Sequence, residues 1–211
     1  MPKPIASSDQ APTDHPGLLS RALAVAVLDD FLTRSLPLDE SFDRQSLIAP
    51  MDQLDDRDRS LARAIATVAI RRLGTIAKAL ERRIEKGLPT HSGRLEAILI
   101  AGCAQILFLD VPDHAAVDLS IRLVQADPDA KRFTALANAV LRRIARERVE
   151  IVTTSDPLTT DLPPWLSDRW IRHYGETTAR RIAAASRVSA SRNGVLGVTK
   201  AEPGRCRPIT S

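Results

Sequence analysis

Residues 94–109, RLEAILIAGCAQILFL, contain the most apolar run of the chain, Ala97 to Leu109. After Glu96 no Asp, Glu, Lys or Arg appears until Asp110, and the apolar residues fall on every side of a 3.6-residue period. A helix that is apolar all round belongs in the middle of a bundle, wrapped by others. It is too short to span a bilayer, which takes about 20 residues, and Gln105 interrupts it. Gly102 costs a helix roughly 1 kcal/mol relative to alanine, a cost that close approach of a neighbouring helix would explain. The run predicts a buried central helix.

Working outward, the segments on both sides repeat the helical period. Leu18, Ala22, Val25, Leu28 and Leu32 step by three or four up to Leu36 and Pro37. A second helix is expected to open in the acidic stretch from Asp52 to Asp58, where negative charge suits a helix N-terminus, and to continue through Leu61, Ile65 and Val68. Beyond Gly74 the same pattern runs through Ile76, Leu80 and Ile84 to Gly87, as two helices or one kinked helix. After the central run, Asp113 reads as the N-cap of a helix carrying Val117, Ile121 and Val124 and ending before Pro128. A last core helix is expected over Ala130 to Arg148, burying Phe133, Leu136, Ala137, Val140, Leu141 and Ile144. No stretch alternates with period two, so the fold class is all-α.

Boundaries follow from composition. Residues 1–16 are rich in Pro, Ser and Asp without an apolar stretch, which predicts disorder and no signal peptide. Residues 17–150 form the helical domain. Residues 151–185 comprise a linker from Thr153 to Pro164 and a short helical unit, with Trp170 and Tyr174 expected to stack at i, i+4. Residues 186–211 lose the periodicity among Gly194, Gly197, Pro203, Gly204 and Pro208, and are not expected to pack.

The formal charge is +4 with a pI near 9.5, but residues 1–150 carry 21 basic and 21 acidic residues. The excess sits in Arg187, Arg192, Lys200, Arg205 and Arg207, against Glu202 alone. Any nucleic-acid site in the folded part must therefore come from local clustering. Two cysteines, Cys103 and Cys206, make neither a disulfide framework nor a metal set, which suits a reducing cytoplasm. His15, His91, His114 and His173 have no metal-ligand spacing, so no metal site is expected. No glycine-rich turn after a strand is present to cradle a nucleotide, and no cofactor site is expected.

The strongest local cluster lies on the last core helix: Lys131, Arg132, Arg142, Arg143 and Arg146, with no acid before Glu147. Lys131, Asn138, Arg142 and Arg146 are separated by seven, four and four residues and fall on one face. Such a stripe can meet successive phosphates, with Asn138 reading a base edge or a sugar. The same arginines could instead pair with acids on other helices. Arg21, Arg71 and Arg72 are weaker basic candidates, and His114 reads as a surface residue at a helix start.

Taken together, Asp56 to Arg59 opening a helix, Ala104-Gln105-Ile106-Leu107-Phe108-Leu109-Asp110-Val111-Pro112-Asp113-His114-Ala115-Ala116-Val117, and Phe133 to Arg142 with Asn138 resemble the NusB-like domain. With Pro163-Pro164-Trp165-Leu166 and Trp170 to Gly175, residues 18–185 are similar to the N-terminal half of the Sun (RsmB-type) ribosomal RNA cytosine-C5 methyltransferases. The resemblance implies a helical RNA-binding bundle, with Arg21, Lys131, Arg132, Asn138, Arg142, Arg143 and Arg146 as RNA-binding candidates and ribosomal RNA as the partner. It also implies a downstream domain that binds S-adenosylmethionine and attacks the base through a cysteine. This chain stops where that domain should begin, and Gly204-Arg205-Cys206-Arg207-Pro208 does not match the family's cysteine contexts. No catalytic residue is carried over, and the chain is expected to be inactive alone. In the family pattern an asparagine is common at the position of Asp118.

Three functional classes remain open. The chain is an rRNA-recognition module without its catalytic half, a stand-alone NusB-type antitermination factor acting on RNA with a protein partner, or a protein-binding bundle. The Pro-Pro-Trp segment and the Trp170 to Gly175 unit favour the first. The tail is either a remnant of another reading frame or a basic RNA-binding arm, the first being preferred because Val195, Leu196 and Val198 are unlike a purpose-built polar arm.

Overall fold

The computed structural model describes residues 17–48 and 54–187; the expectations placed on residues 1–16, on Cys206 and on the tail beyond Arg187 lie outside them. Among the described residues there are helices and turns and no strand. The bundle is built from α1 (Leu18–Arg34), α2 (Leu38–Ile48), α3 (Asp56–Arg71), α4 (Leu73–Glu81), α5 (Leu95–Phe108), α6 (Asp113–Ala126) and α7 (Thr134–Arg146). Four shorter helices complete it: α8 (Arg148–Thr154), α9 (Pro157–Thr160), α10 (Pro164–Tyr174) and α11 (Glu176–Arg187).

The apolar run is the axis of the structure. Twelve of the fourteen residues of α5 are buried, and the helix packs against α1, α3, α4, α6, α7 and α8. Each fully buried Leu or Ile side chain, such as Leu95, Leu99 or Ile106, contributes about 1.5–3 kcal/mol of transfer free energy. A Cβ on Gly102 would stand 2.9 Å from both Leu141 Cδ2 and Ser120 Oγ, so α6 and α7 approach at the glycine as expected. Gln105, fully inside, donates to the Ala101 carbonyl at 3.0 Å and accepts from Arg21. Cys103 is buried beside it, and burial pushes its thiol up to about 12.

Polar anchors fix the surrounding helices. The Asp55 carboxylate caps α3 by accepting from the Asp58 amide at 2.7 Å. Buried Asp30 ties α1 to α2, accepting from Ser41 at 3.2 Å, Gln45 at 2.6 Å and Arg44 at 2.6 Å, and pairing with Arg34. Between α3 and α4 the chain breaks at Arg72, which settles the open choice in favour of two helices.

Several boundaries differ from expectation. Pro112, not Asp113, occupies the N-cap of α6 and no side chain caps it; Asp113 is already the first helical residue. The expected helix from Ala130 to Arg148 is three pieces: a 3-10 turn at Lys131–Phe133, then α7, then the start of α8. Asp127 organises that turn, accepting from the amides of Asp129 and Ala130 at 3.0 and 2.9 Å. The segment read as a linker, Thr153 to Pro164, holds the end of α8 and all of α9 and docks on the bundle. Its Asp161 caps α4 from 86 residues away, accepting from the Thr75 amide at 2.7 Å and the Thr75 hydroxyl at 2.8 Å. Arg72 and Arg187 flank the same carboxylate at 3.5 and 2.6 Å. Gly74 makes this possible, because a Cβ there would lie 1.7 Å from the Thr160 carbonyl oxygen. A small second core, Leu158, Ala179 and Ala183 with Leu162 and Trp170 against it, joins α9, α10 and α11.

Candidate nucleic-acid interface

The expected basic stripe divides into parts. On α7 the side facing the core carries Ala137, Val140, Leu141 and Ile144, all buried, which leaves Asn138, Arg142 and Arg146 one turn apart on the outer side. These three border a shallow groove between α6 and α7, with Val117, Ile121, Ala135 and Ala145 as its apolar floor and His114 and Asp118 across it. Arg142 Nε donates to Asn138 Oδ1 at 2.9 Å, which fixes both side chains over the groove and leaves the Asn138 amide hydrogens and the outer guanidinium edge of Arg142 for a ligand. Arg146 is exposed and has no ion-pair partner among the described residues. The acids on this surface are engaged: Asp118 pairs with Arg122 at 2.8 Å, and Asp113 lies 3.9 Å from Arg148. Arg142 and Arg146 thus border a mostly apolar trough whose two carboxylates already have arginine partners.

The other members of the stripe go elsewhere. Arg143 turns to the opposite flank of α7, where its Nε donates to Glu147 Oε1 at 2.8 Å while Arg83 binds the other oxygen of the same carboxylate. The hydrogen bond from Arg143 holds the Glu147 carboxyl below its ordinary range and raises the Arg143 guanidinium in return. Arg132 donates to the His91 carbonyl at 2.8 Å and lies over the Phe133 ring at 4.8 Å. Lys131 is exposed at the 3-10 turn, ahead of α7 rather than within it.

Arg21 is a correction. It is 6% exposed, far from α7 in the chain, with Nε donating to Gln105 Oε1 at 2.6 Å and Nη1 to the Gly17 carbonyl at 2.8 Å. Burial lowers its pKa, with Asp58 opposing the shift. Arg21 is therefore a structural bracket between α1 and α5. Arg72, another sequence candidate, is likewise buried, stacked over Phe108 at 4.1 Å. Sequence reasoning missed His114 and Arg148 as neighbours of the groove, because only the packing of α6 on α7 brings them there.

No group of His, Cys, Asp and Glu that could hold a metal occurs among the described residues, and no described helix is long and apolar enough to cross a membrane.

Residues 19–146 match the NusB family. The chain is 29% identical over 180 residues to ribosomal RNA small subunit methyltransferase B of Xanthomonas campestris pv. campestris, covering 85% of this chain and 39% of that protein. It is 31% identical over 161 residues to the protein of the same name from Xylella fastidiosa, covering 76% of this chain and 35% of that one. The chain thus spans between a third and two fifths of the length of these relatives. A solved structure described as a plectonemic RNA supercoil contains a chain of the same fold, with a TM-score of 0.54 and 20% identity over 65% of this chain and 97% of that one.

Proposed function

The chain belongs to the NusB family, and from that premise we propose that it is an RNA-binding module that holds ribosomal RNA in the groove between α6 and α7. The observation that carries the reading is the triad Asn138, Arg142 and Arg146, fixed one turn apart on a rigid helix while every groove acid is already paired. Arginines in this spacing suit successive phosphates, and the Asn138 amide suits a base edge or a 2′-hydroxyl. The ribosomal target is supported by the name of the relatives it resembles and by the extent of the similarity, which takes in 85% and 76% of this chain, more than the 19–146 stretch that matches the NusB family. S-adenosylmethionine is assigned to none of the described residues: they contain no strand, and so no strand-to-helix glycine turn of the kind that cradles it. In this reading the module positions RNA and performs no methyl transfer itself.

The test separates the two flanks of α7. An R142E/R146E double variant should lose at least about tenfold in affinity for a small-subunit rRNA fragment. Its plot of log affinity against log salt should flatten by about 1.4, for two contacts at roughly 0.7 each on single strands. R143E, on the opposite flank, should change neither quantity by more than about twofold. Equal losses in both variants would point to charge alone, and an unchanged double variant would remove the groove from the site.

A further inference from the structure

We propose that the outer face of α10 is a second nucleic-acid contact, a stacking platform for single-stranded bases, separate from the α6–α7 groove. The chain is poor in aromatic residues, yet both of its tryptophans and its one tyrosine lie on this single helix of eleven residues. Of the four large hydrophobic residues exposed among the described ones, three are here: Trp165 at 64%, Tyr174 at 51% and Ile171 at 37%. Leaving an indole in water forfeits the favourable transfer of a large apolar ring, so such exposure marks a surface meant for a partner.

The chemistry around the rings selects the partner. At 100° per residue, Trp165, Arg169, Arg172 and His173 fall within about a third of the helix circumference. Trp170, in contrast, turns toward Leu158, Ala179 and Ala183 and supports the helix from beneath. Among the described residues neither Arg169 nor Arg172 has an ion-pair partner, and Asp168 is the only acid on α10. His173 and Tyr174 meet edge to face with centroids 4.6 Å apart, which corrects the expected stack of Tyr174 on Trp170 and makes a second ring cluster at the C-terminal end. Trp165 and His173 are eight residues apart, about 12 Å along the axis, or three to four nucleotides at roughly 3.4 Å each. Flat rings at both ends with guanidinium groups between them are the elements of single-strand binding: bases stack on the rings while cations track the phosphates. The inference rests on the RNA-binding reading only for the class of ligand, and its residues are independent of the groove.

Because both tryptophans sit on α10, intrinsic fluorescence reports this helix, with Trp165 on its outer surface and Trp170 beneath. Titration of the full chain with a single-stranded oligouridylate of about twelve nucleotides should quench tryptophan emission in parallel with the rise in anisotropy of the labelled RNA. Trp165→Ala should keep the thermal midpoint, since the ring is exposed, while affinity falls at least about fivefold and the remaining Trp170 emission responds only weakly. Trp165→Phe should restore most of the affinity. The R142E/R146E variant should still show quenching. Anisotropy that rises without any quenching, or a Trp165→Ala variant that binds as tightly as the parent, would overturn the α10 platform and leave the groove reading standing. Quenching that survives while groove substitutions change nothing would do the reverse. An emission change driven by protein concentration without RNA, and reversed on dilution, would assign the face to a second copy of the chain and overturn the proposal.

Discussion

Asp30 illustrates how much a single side chain decides in this bundle. It is 1% exposed, and burial on its own would push its carboxyl up; hydrogen bonds from Gln45, Ser41 and Arg34, with the Arg44 charge, outweigh that and hold it below the usual range. A carboxyl whose folded value is depressed stabilises the fold above its unfolded value, about 3.9, and that contribution is lost as the pH falls through the lower folded value. Urea titrations should therefore show stability falling below about pH 4. Asp30→Asn should flatten that acid limb and cost about 2–3 kcal/mol at neutral pH, because Arg34 and Arg44 lose their counter-charge. An acid limb identical in the variant would show that other carboxylates govern it. At this scale the sequence was readable where spacing alone fixes neighbours. Asn138, Arg142 and Arg146 recur every fourth residue on one helix, and they share a face. It was unreadable where the partner is remote: Arg21 looks like a surface residue until Gln105 arrives 84 residues later, and the Arg143–Glu147 pair looks complete until Arg83 takes the other carboxylate oxygen from 64 residues away.

Among the elements, α1, α3 and α5 were legible because their apolar periods are long and uninterrupted. The α8–α9 segment was not. Pro157, Pro163 and Pro164 among Ser, Thr and Asp carry the composition of a loop, and nothing local announces that Asp161 will cap α4 or that Leu158 will be fully buried. The matching signal stood at Gly74, which reads as a helix break but is a backbone contact point. Gly74→Ala should consequently act on docking rather than on helix formation. Its Cβ would meet the Thr160 carbonyl, a backbone atom that cannot swing aside. The expected result is faster hydrogen exchange and proteolysis across α9 to α11, with protection in α5 retained, and an overall loss of about 2 kcal/mol or more from a contact of this severity. Uniform loss of protection through α5 would mean that the C-terminal unit and the bundle unfold as one. The expected single helix from Ala130 to Arg148 failed for a related reason: Asp127 captures two amides of the following turn and forces it into 3-10 geometry before α7 begins.

For the whole molecule, charge balance sets what the proposed RNA binding should look like. A domain with equal numbers of acids and bases through residue 150 has no net field to attract RNA, so on the proposed reading the groove and α10 supply the affinity. Salt dependence should then be modest, a log–log slope of about −1.4 to −3 for two to four phosphates on single strands. Removing residues 188–211, which carry four of the basic residues and one acid, should leave that slope and the thermal midpoint unchanged. A slope that flattens on truncation would make the tail an RNA-binding arm. The bundle itself offers a means of timing its own opening. Cys103 lies sealed on α5 with its thiol held protonated well above neutrality, so an alkylating reagent reaches it only when the surrounding helices part. With Cys206 replaced by serine, the labelling rate of this one thiol becomes a clock for the breathing of the core.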